Sequence, residues 1–229
     1  MAHDVDLNRF ETALIGRLGL PWQSQAEIKV PYLYAQEDSS SGVRTDSRSQ
    51  AGLGDVELAL THQFVRESGW WPDLLLEGRW KTNTGKDAFD GSNGTLPLGT
   101  GFNGLSARVT AVKTVDPVVL IGTAGYTRNF EGKREGFRID PGDQWLGSLS
   151  AVLAAGPGVS LRTGTSVGFS DEATVDGDRV AGSDRVDARL NFGLGATITE
   201  RVILDLGFGV GVTDNAPDFT TRAGLGYRF

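Results

Sequence analysis

Apolar and polar residues alternate with a period of two through most of the chain after residue 51. In the first such segment, Val56, Leu58, Leu60 and Phe64 fall on one face, and Asp55, Glu57, Ala59 and Thr61 on the other. The pattern recurs in 73–84, 158–170, 184–197, 202–213 and 219–229. Because successive side chains of a β-strand point to opposite faces, each segment has one apolar and one polar face. The 32 glycines among 229 residues argue against helices, since glycine destabilises a helix interior. The alternation predicts an all-β chain of antiparallel hairpins.

We place eleven strands along the chain, joined by connections that alternate between short and long. The strands lie near 7–18, 24–36, 51–65, 73–84, 102–114, 118–130, 144–154, 158–170, 184–197, 202–213 and 219–229. The longer connections lie near 37–50, 85–101, 131–143, 171–183 and 214–218. Most prolines fall in connections, as expected for a residue that cannot donate a backbone hydrogen bond within a sheet. Pro31 is the exception, and it predicts a bulge within strand 24–36.

Two architectures accommodate such strands: a soluble sheet with an apolar core, or a transmembrane barrel with its apolar face toward lipid. The strands satisfy the ~9–11 residues of a tilted membrane-spanning strand, and alternating connection lengths are typical of outer-membrane barrels. The charges of the polar face would be costly in a soluble core. We therefore predict a transmembrane antiparallel up-and-down β-barrel. Because such barrels normally have an even number of strands, the eleven counted here leave open either a further strand before residue 7 or a different fold of residues 1–23. Residues 1–6 would form a flexible leading segment, and residues 7–229 a single barrel domain.

Aromatic residues of the apolar face gather near the strand ends, where a barrel has its interfacial girdles. The candidates are Trp22, Tyr34, Trp70, Trp71, Trp80, Tyr126, Trp145, Phe169, Tyr227 and Phe229. The alternative is that they are ordinary core aromatics. In a membrane, the outer face would contact outer-membrane lipid and lipopolysaccharide.

The polar face would line the lumen, and it carries charges of both signs. The candidates are Asp55, Glu57, Glu77, Arg79, Lys81, Arg108, Arg162, Arg185, Asp187, Arg189, Asp205, Arg222 and Arg228. Such mixed charges suit a wide hydrated path or a docked plug rather than a small-ion filter; alternatively, they pair across strands and fill the bore.

Nine glycines are also predicted to face inward from the last four strands. They are Gly164, Gly168, Gly193, Gly195, Gly207, Gly209, Gly211, Gly224 and Gly226. They indicate either one smooth wall along which an extended polypeptide or a plug helix could pass, or merely room for the curvature of a small barrel.

Composition argues against several classes of function. The absence of cysteine excludes disulfides, zinc-thiolate sites and thiol catalysis. The net charge of −7 argues against nucleic-acid binding, which needs a basic face. Histidine occurs only at His3 and His62, and His62 shares the register of the apolar face. Asp55 and Glu57 remain as candidates for acid–base chemistry, but an open lumen gives no reason for their activation. We predict no enzyme activity, no cofactor and no metal.

Several short segments resemble those of the outer-membrane barrels grouped as the phenol-degradation MetA-pathway family. They are Gly52-Leu53-Gly54-Asp55-Val56-Glu57-Leu58, Val30-Pro31-Tyr32, Lys81-Thr82-Asn83-Thr84-Gly85, Leu98-Gly99-Thr100-Gly101 and Asp116-Pro117. The terminal Tyr227-Arg228-Phe229 resembles the signal read by the machinery that assembles outer-membrane barrels. The resemblance spans most of 13–130 and rests on the order and spacing of these segments.

Within that family, the chain most resembles the C-terminal barrel of the Fap-type channels, which export functional-amyloid subunits in pseudomonads. This resemblance implies a barrel of about 12 strands, a bacterial outer-membrane location, a homotrimer and an unfolded amyloid subunit as the transported substrate. It also implies a signal peptide, a coiled coil and a plug before the barrel, so we expect a truncated exported chain. The alternative is uptake of small hydrophobic or aromatic molecules, for which the scattered Ile15, Ile121, Leu146, Val152 and Ile203 give little support. A third possibility is a structural barrel with a plugged bore.

Overall fold

The computed structural model describes residues 4–41, 44–86, 96–134 and 136–229, and its regular elements are β-strands. In chain order they are β1 (Asp4–Leu20), β2 (Ser24–Ser41), β3 (Arg44–Leu53), β4 (Glu57–Val65), β5 (Asp73–Lys81), β6 (Gly104–Val115), β7 (Val118–Asn129), β8 (Gly132–Arg134), β9 (Phe137–Asp140), β10 (Gln144–Gly156), β11 (Val159–Ser170), β12 (Thr174–Val175), β13 (Asp178–Arg179), β14 (Arg185–Thr199), β15 (Val202–Gly211) and β16 (Phe219–Tyr227). Among these residues, no helix offers the length and apolar character of a membrane span.

One large antiparallel sheet contains nearly all of the long strands. Its order is β1-β2-β4-β5-β6-β7-β10-β11-β14-β15-β16, and β3 pairs with the far end of β2. Apart from β3, each strand of this sheet pairs with the next strand of the same sheet along the chain, as in an up-and-down barrel, and the sheet curls into a half-barrel. The prediction of an all-β, antiparallel up-and-down architecture is confirmed.

The sheet has eleven strand positions, the number counted from the sequence. Because neighbours alternate in direction, β1 and β16 run the same way, and no pairing between them occurs in the described part of the chain. A direct antiparallel closure of β16 onto β1 is therefore geometrically excluded, and these two strands form the edges of the half-barrel.

The irregularity expected at Pro31 lies on the neighbouring strand instead. Strand β2 continues through Pro31 in unbroken register with β1. Its partner on the other side changes from β4 at Lys29, which faces Glu57, to β3 at Tyr32, which faces Leu53. The N–H of Gly54 donates to the carbonyl of Pro31 at 2.9 Å, but proline has no N–H to return the bond. Three residues, 54–56, therefore bulge opposite two of β2.

Three of the predicted long connections contain strands. The segment 37–50 is mostly a continuation of β2 and β3, which pair from Ser41 and Arg44 onward. The segments 131–143 and 171–183 hold four short strands that form a second sheet in the order β13-β12-β9-β8. Their polar sequences predict loops, but a hairpin that extends beyond the bilayer needs no apolar face. Strand β1 also begins at Asp4, three residues before its predicted start.

Candidate functional site

The two faces of the large sheet differ in polarity and exposure, and the apolar face is the more exposed. Leu60 and Leu149, on the outer face, are 54% and 69% exposed. The side chains of Arg79 and Glu27, on the inner face, are only 13% and 14% exposed. A soluble protein has the opposite arrangement. The distribution fits a sheet whose outer face contacts lipid and whose inner face surrounds a polar space.

Arg79 stands at the centre of a network of ion pairs on the inner face. Its Nη1, Nη2 and Nε atoms lie 2.9, 2.9 and 3.0 Å from the carboxylates of Glu57, Glu27 and Glu77 respectively. The network extends through Arg17–Glu27 at 2.7 Å, Lys29–Glu11 at 2.7 Å, Lys29–Glu57 at 3.4 Å and Arg108–Glu77 at 3.5 Å. These eight residues, which we term the ion-pair ladder, cross β1, β2, β4, β5 and β6. The sequence indicated the charges of this face and, as one alternative, their pairing across strands, but it did not identify the partners.

The remaining predicted lining charges are spread over the rest of the inner face. Arg162 lies 3.7 Å from Asp205, and Arg189 pairs with Asp187. Arg185 and Arg222 also face inward, by their registers with Ser170 and Gly207. Arg228 lies beyond the end of β16, where its backbone N–H donates to the carbonyl of Arg201. The structure thus brings Glu57, Glu77, Arg79 and Arg108 together in one network. It pairs Arg162 with Asp205 and Arg189 with Asp187, and it leaves Arg185, Arg222 and Arg228 apart from these groups.

Asp55 is buried beneath the connection between β5 and β6 rather than open to the lumen. Its Oδ1 accepts a hydrogen bond from the backbone N–H of Gly85 at 3.0 Å. Its Oδ2 accepts from the backbone N–H and the hydroxyl of Thr100 at 2.8 and 2.9 Å. Lys81 lies 3.6 Å away and supplies the opposite charge. One carboxylate therefore holds both described ends of the connection, 82–86 and 96–103, against the inner face.

Three of the segments that carry the family resemblance meet at this carboxylate. Asp55 belongs to the segment 52–58, Gly85 to 81–85 and Thr100 to 98–101. Glycines allow the approach, because a Cβ on Gly85 would lie 2.9 Å from the backbone carbon of Gly54 and from Cα of Gly99. We name the two described ends of this connection, 82–86 and 96–103, the inward connection. Its residues 87–95 lie outside the described part of the chain.

Beneath the inward connection lies a small apolar cluster that the sequence analysis missed. Leu33 and Ala35 of β2 pack with Leu96 and Leu98, and all four are buried. The signal was present in β2, where Leu33 and Ala35 occupy inward positions in register with Lys29. The connection also contacts β1 and β8, because Arg9 donates to the carbonyl of Pro97 at 2.7 Å and Arg134 donates to that of Gly101. It therefore narrows the inner space at the long-connection end.

The nine predicted glycines occupy inward register positions, but their surroundings differ. A Cβ on Gly164 would lie 2.5 Å from the carbonyl oxygen of Leu149 in β10, and one on Gly211 would lie 2.5 Å from that of Pro217. Six others stand beside larger polar side chains: Gly193 pairs with Arg162, Gly195 with Asp205, Gly207 with Arg222, Gly209 with Thr220, Gly168 with Asp187 and Gly224 with Asp205. Gly226 pairs with the apolar Ile203. On this face, glycines therefore alternate with larger side chains. A role of the glycines in the passage of a polypeptide stays a prediction.

The ten predicted interfacial aromatics lie on the outer face or in the short turns. Nine are exposed, and Tyr126 is half-buried. At the long-connection end, the rings of Tyr126 and Trp145 lie 4.7 Å apart and Phe169 is opposite Trp145. At the other end, Trp22, Trp70 and Trp71 lie in turns, and the ring centroids of Tyr227 and Phe229 are 4.9 Å apart. Their membrane contacts stay a prediction.

The candidates for catalytic chemistry are placed apart from one another. His62 lies on the outer face, where its Nδ1 is 3.0 Å from the hydroxyl of Ser24. Asp55 is occupied by the donors of the inward connection, and Glu57 by the ion-pair ladder. His3 lies outside the described residues. Within those residues, no group of three or more histidines or carboxylates could hold a metal ion.

Comparison with known proteins agrees with this architecture. The family model described as "Putative MetA-pathway of phenol degradation" matches residues 4–229. The fold is similar to the crystal structure of an outer membrane channel from Pseudomonas putida F1, with a TM-score of 0.75 and 17% sequence identity over 97% of this chain and 83% of that one. This fold and the exposed apolar face fit an outer-membrane location. Because the family model spans almost the whole chain, the protein belongs to the phenol-degradation MetA-pathway family.

Proposed function

We propose that the chain forms an outer-membrane channel through which small molecules diffuse. The observation that carries the proposal is the inverted distribution of polarity, with an exposed apolar outer face and an ion-paired inner face. The desolvation penalty of charged side chains on an inner face is small where water reaches them. In this proposal the inner face lines a hydrated path, and the protein acts as a transporter without catalytic chemistry.

Uptake of small hydrophobic or aromatic molecules is the first candidate for the cargo. It is supported by the apolar cluster of Leu33, Ala35, Leu96 and Leu98, which lies on the inner face at the long-connection end. In the described structure these four side chains are buried beneath the inward connection, so an apolar solute would reach them only when that connection is displaced. The family to which the chain belongs is also named for the degradation of an aromatic compound.

Export of unfolded amyloid subunits is the second candidate. It is supported by the resemblance of the sequence to Fap-type channels and by the low inner face of β14 to β16, where Gly193, Gly207 and Gly209 remove side chains from the path. A homotrimer is proposed on the same resemblance, and chemical cross-linking in membranes would test it. Contacts of the outer face with lipid and lipopolysaccharide complete this proposal.

Reconstitution into proteoliposomes tests the channel itself. Swelling in isotonic solutions of small sugars and aromatic compounds is expected to exceed that of protein-free liposomes. The absence of both swelling and bilayer conductance would refute a channel. Deletion in the natural host separates the cargoes: loss of extracellular fibres indicates export, whereas normal fibres with slowed growth on aromatic compounds indicate uptake.

A further inference from the structure

We infer that the inner face of β11 to β16 binds small inorganic or carboxylate anions at a site formed by Arg162, Gly193, Gly207 and Arg222, which we name the ledge. The inference rests on the proposed channel, because the ledge would be a binding site along the path of the solute. It concerns the charge of the solute, which neither the fold nor the family determines.

The first half of the inner face carries no net charge. The ion-pair ladder contains the four carboxylates of Glu11, Glu27, Glu57 and Glu77 and the four cations of Arg17, Lys29, Arg79 and Arg108. Lys81 and Asp55 form a further balanced pair. By their registers Arg9, Arg48, Glu37 and Asp73 also face inward, and these two cations and two carboxylates balance one another. The charges of this half satisfy one another and offer a passing ion little net attraction.

The second half of the inner face has an excess of positive charge. The inward residues of β7 to β16 include four arginines, Arg162, Arg185, Arg189 and Arg222, but only the two carboxylates of Asp187 and Asp205. Arg189 pairs with Asp187, and Arg162 makes a long contact of 3.7 Å with Asp205. Within the described residues, neither Arg185 nor Arg222 has an ion-pair partner. This half therefore attracts anions.

Arg162 and Arg222 belong to one transverse row of the sheet. Arg162 pairs with Gly193, Gly193 with Gly207, and Gly207 with Arg222. Three strand spacings separate the two Cα atoms, which is about 14 Å. A Cβ on Gly193 would lie 3.5 Å from Cβ of Arg162, and one on Gly207 would lie 3.5 Å from Cβ of Arg222. The glycines thus leave a low floor between two guanidinium groups.

The side chains at the ends of the row are available to a ligand. Arg162 is half-exposed, and Arg222 is exposed. A guanidinium presents several N–H donors in a plane and binds carboxylate and phosphate oxygens well. Two such groups that face one another across a floor without side chains can engage an anion together or in sequence.

The acidic connection after β11 is distant from the ledge. Asp171, Glu172, Asp176 and Asp178 lie in this connection, nine or more residues along the chain from Arg162. Nine strand residues span about 30 Å, which exceeds the Debye length of about 10 Å at 0.1 M salt. Asp218, just before β16, is nearer, because it lies four residues along the chain from Arg222, but the about 13 Å that four strand residues span also exceeds this length. These acidic residues therefore do not cancel the field at the ledge.

The reversal potential in planar lipid bilayers under a KCl gradient tests the inference on the full chain. We expect a chloride-to-potassium permeability ratio above one. In the R162Q/R222Q double variant the ratio should fall by about twofold, because two unit charges near the path are removed. The variant D205N should raise the ratio, since Arg162 loses its acidic neighbour.

The matched control is R201Q, in the short turn between β14 and β15 and off the inner face; its ratio should equal that of the native protein. Migration on unheated detergent gels reports whether each variant folds. The anion site would be refuted by a chloride-to-potassium permeability ratio at or below one in the native protein, or by an unchanged ratio in the folded double variant. Neither result would contradict the proposed channel. Absence of conductance in the native protein would refute both.

Discussion

The carboxylate of Asp55 accepts a hydrogen bond of 2.8 Å from the backbone N–H of Thr100, 45 residues further along the chain. Its other oxygen accepts from the N–H of Gly85. Hydrogen bonds to an ionised acceptor are stronger than neutral ones. Asp55 therefore joins both described ends of the inward connection, which Arg9 and the apolar cluster also hold in place.

Substitution Asp55→Asn should release the inward connection. The amide replaces one acceptor by a donor that faces other donors, so the loss should be about 2 kcal/mol. We expect a higher single-channel conductance, measured in planar bilayers. Asp171→Asn, in an exposed connection, is the matched control and should conduct as the native protein does. Equal conductance of the Asp55 variant and the native protein would show that the connection does not limit passage.

Substitution Gly85→Ala should displace the same connection by steric overlap. The added Cβ would lie 2.9 Å from the backbone of Gly54, and overlaps of this kind cost about 1–3 kcal/mol. We expect faster proteolysis within the connection and a lower stability to urea. Gly78→Ala in β5 is the control, because a Cβ there has no neighbour within 4 Å. Equal proteolysis of the two variants would contradict the close contact.

Substitution Arg79→Met should destabilise the protein more than Arg162→Met. Loss of Arg79 leaves the carboxylates of Glu27, Glu57 and Glu77 together without their common partner, at a cost of about 3 kcal/mol. Arg162 is half-exposed and makes one contact of 3.7 Å, so its loss should cost less than about 1 kcal/mol. Urea unfolding in lipid vesicles measures both values. Equal losses of unfolding free energy in the two variants would show that the ion-pair ladder contributes no more to stability than exposed ion pairs do.

Substitution Leu149→Arg should impair membrane insertion, because Leu149 lies on the exposed outer face of β10. An arginine at the middle of the lipid face of a barrel costs about 2–4 kcal/mol. Ser148→Arg is the control, since its side chain points to the inner face, where it faces Ser166 and Thr123. The folded fraction in vesicles should fall for the first variant alone. A reversed order would mean that the two faces have been assigned wrongly.

The connection before β10 should loosen in acid. Partial burial acts to raise the pKa of Asp143, but hydrogen bonds from Tyr126 and Arg128 outweigh it, and the net pKa lies below its usual value. A lowered folded-state pKa contributes stability above the unfolded-state pKa, and this is lost as pH falls through the folded value. We expect hydrogen exchange at residues 140–143 to accelerate below the usual carboxyl range. In Asp143→Asn this acceleration should disappear, and its persistence would assign the effect to another group.

Much of the architecture could be predicted because it depends on a local property. The alternation of Leu58 and Leu60 with Glu57 and Ala59 follows from the pleat of a single strand. Strand number, hairpin order and the polarity of both faces therefore follow without knowledge of any distant contact. The short strands β8, β9, β12 and β13 could not be predicted in this way, because they are too short for a period to develop.

The sequence by itself determined an up-and-down sheet with an apolar outer face and a charged inner face. Only the tertiary structure decided which charges meet. Arg79 gathers Glu27, Glu57 and Glu77 because the registers of three strands bring them together, and register depends on partners up to 52 residues away. Likewise, Asp55 meets Gly85 and Thr100 only because the chain bends inward between β5 and β6. Alternation assigns a side chain to a face, but its neighbours on that face depend on the pairing of whole strands.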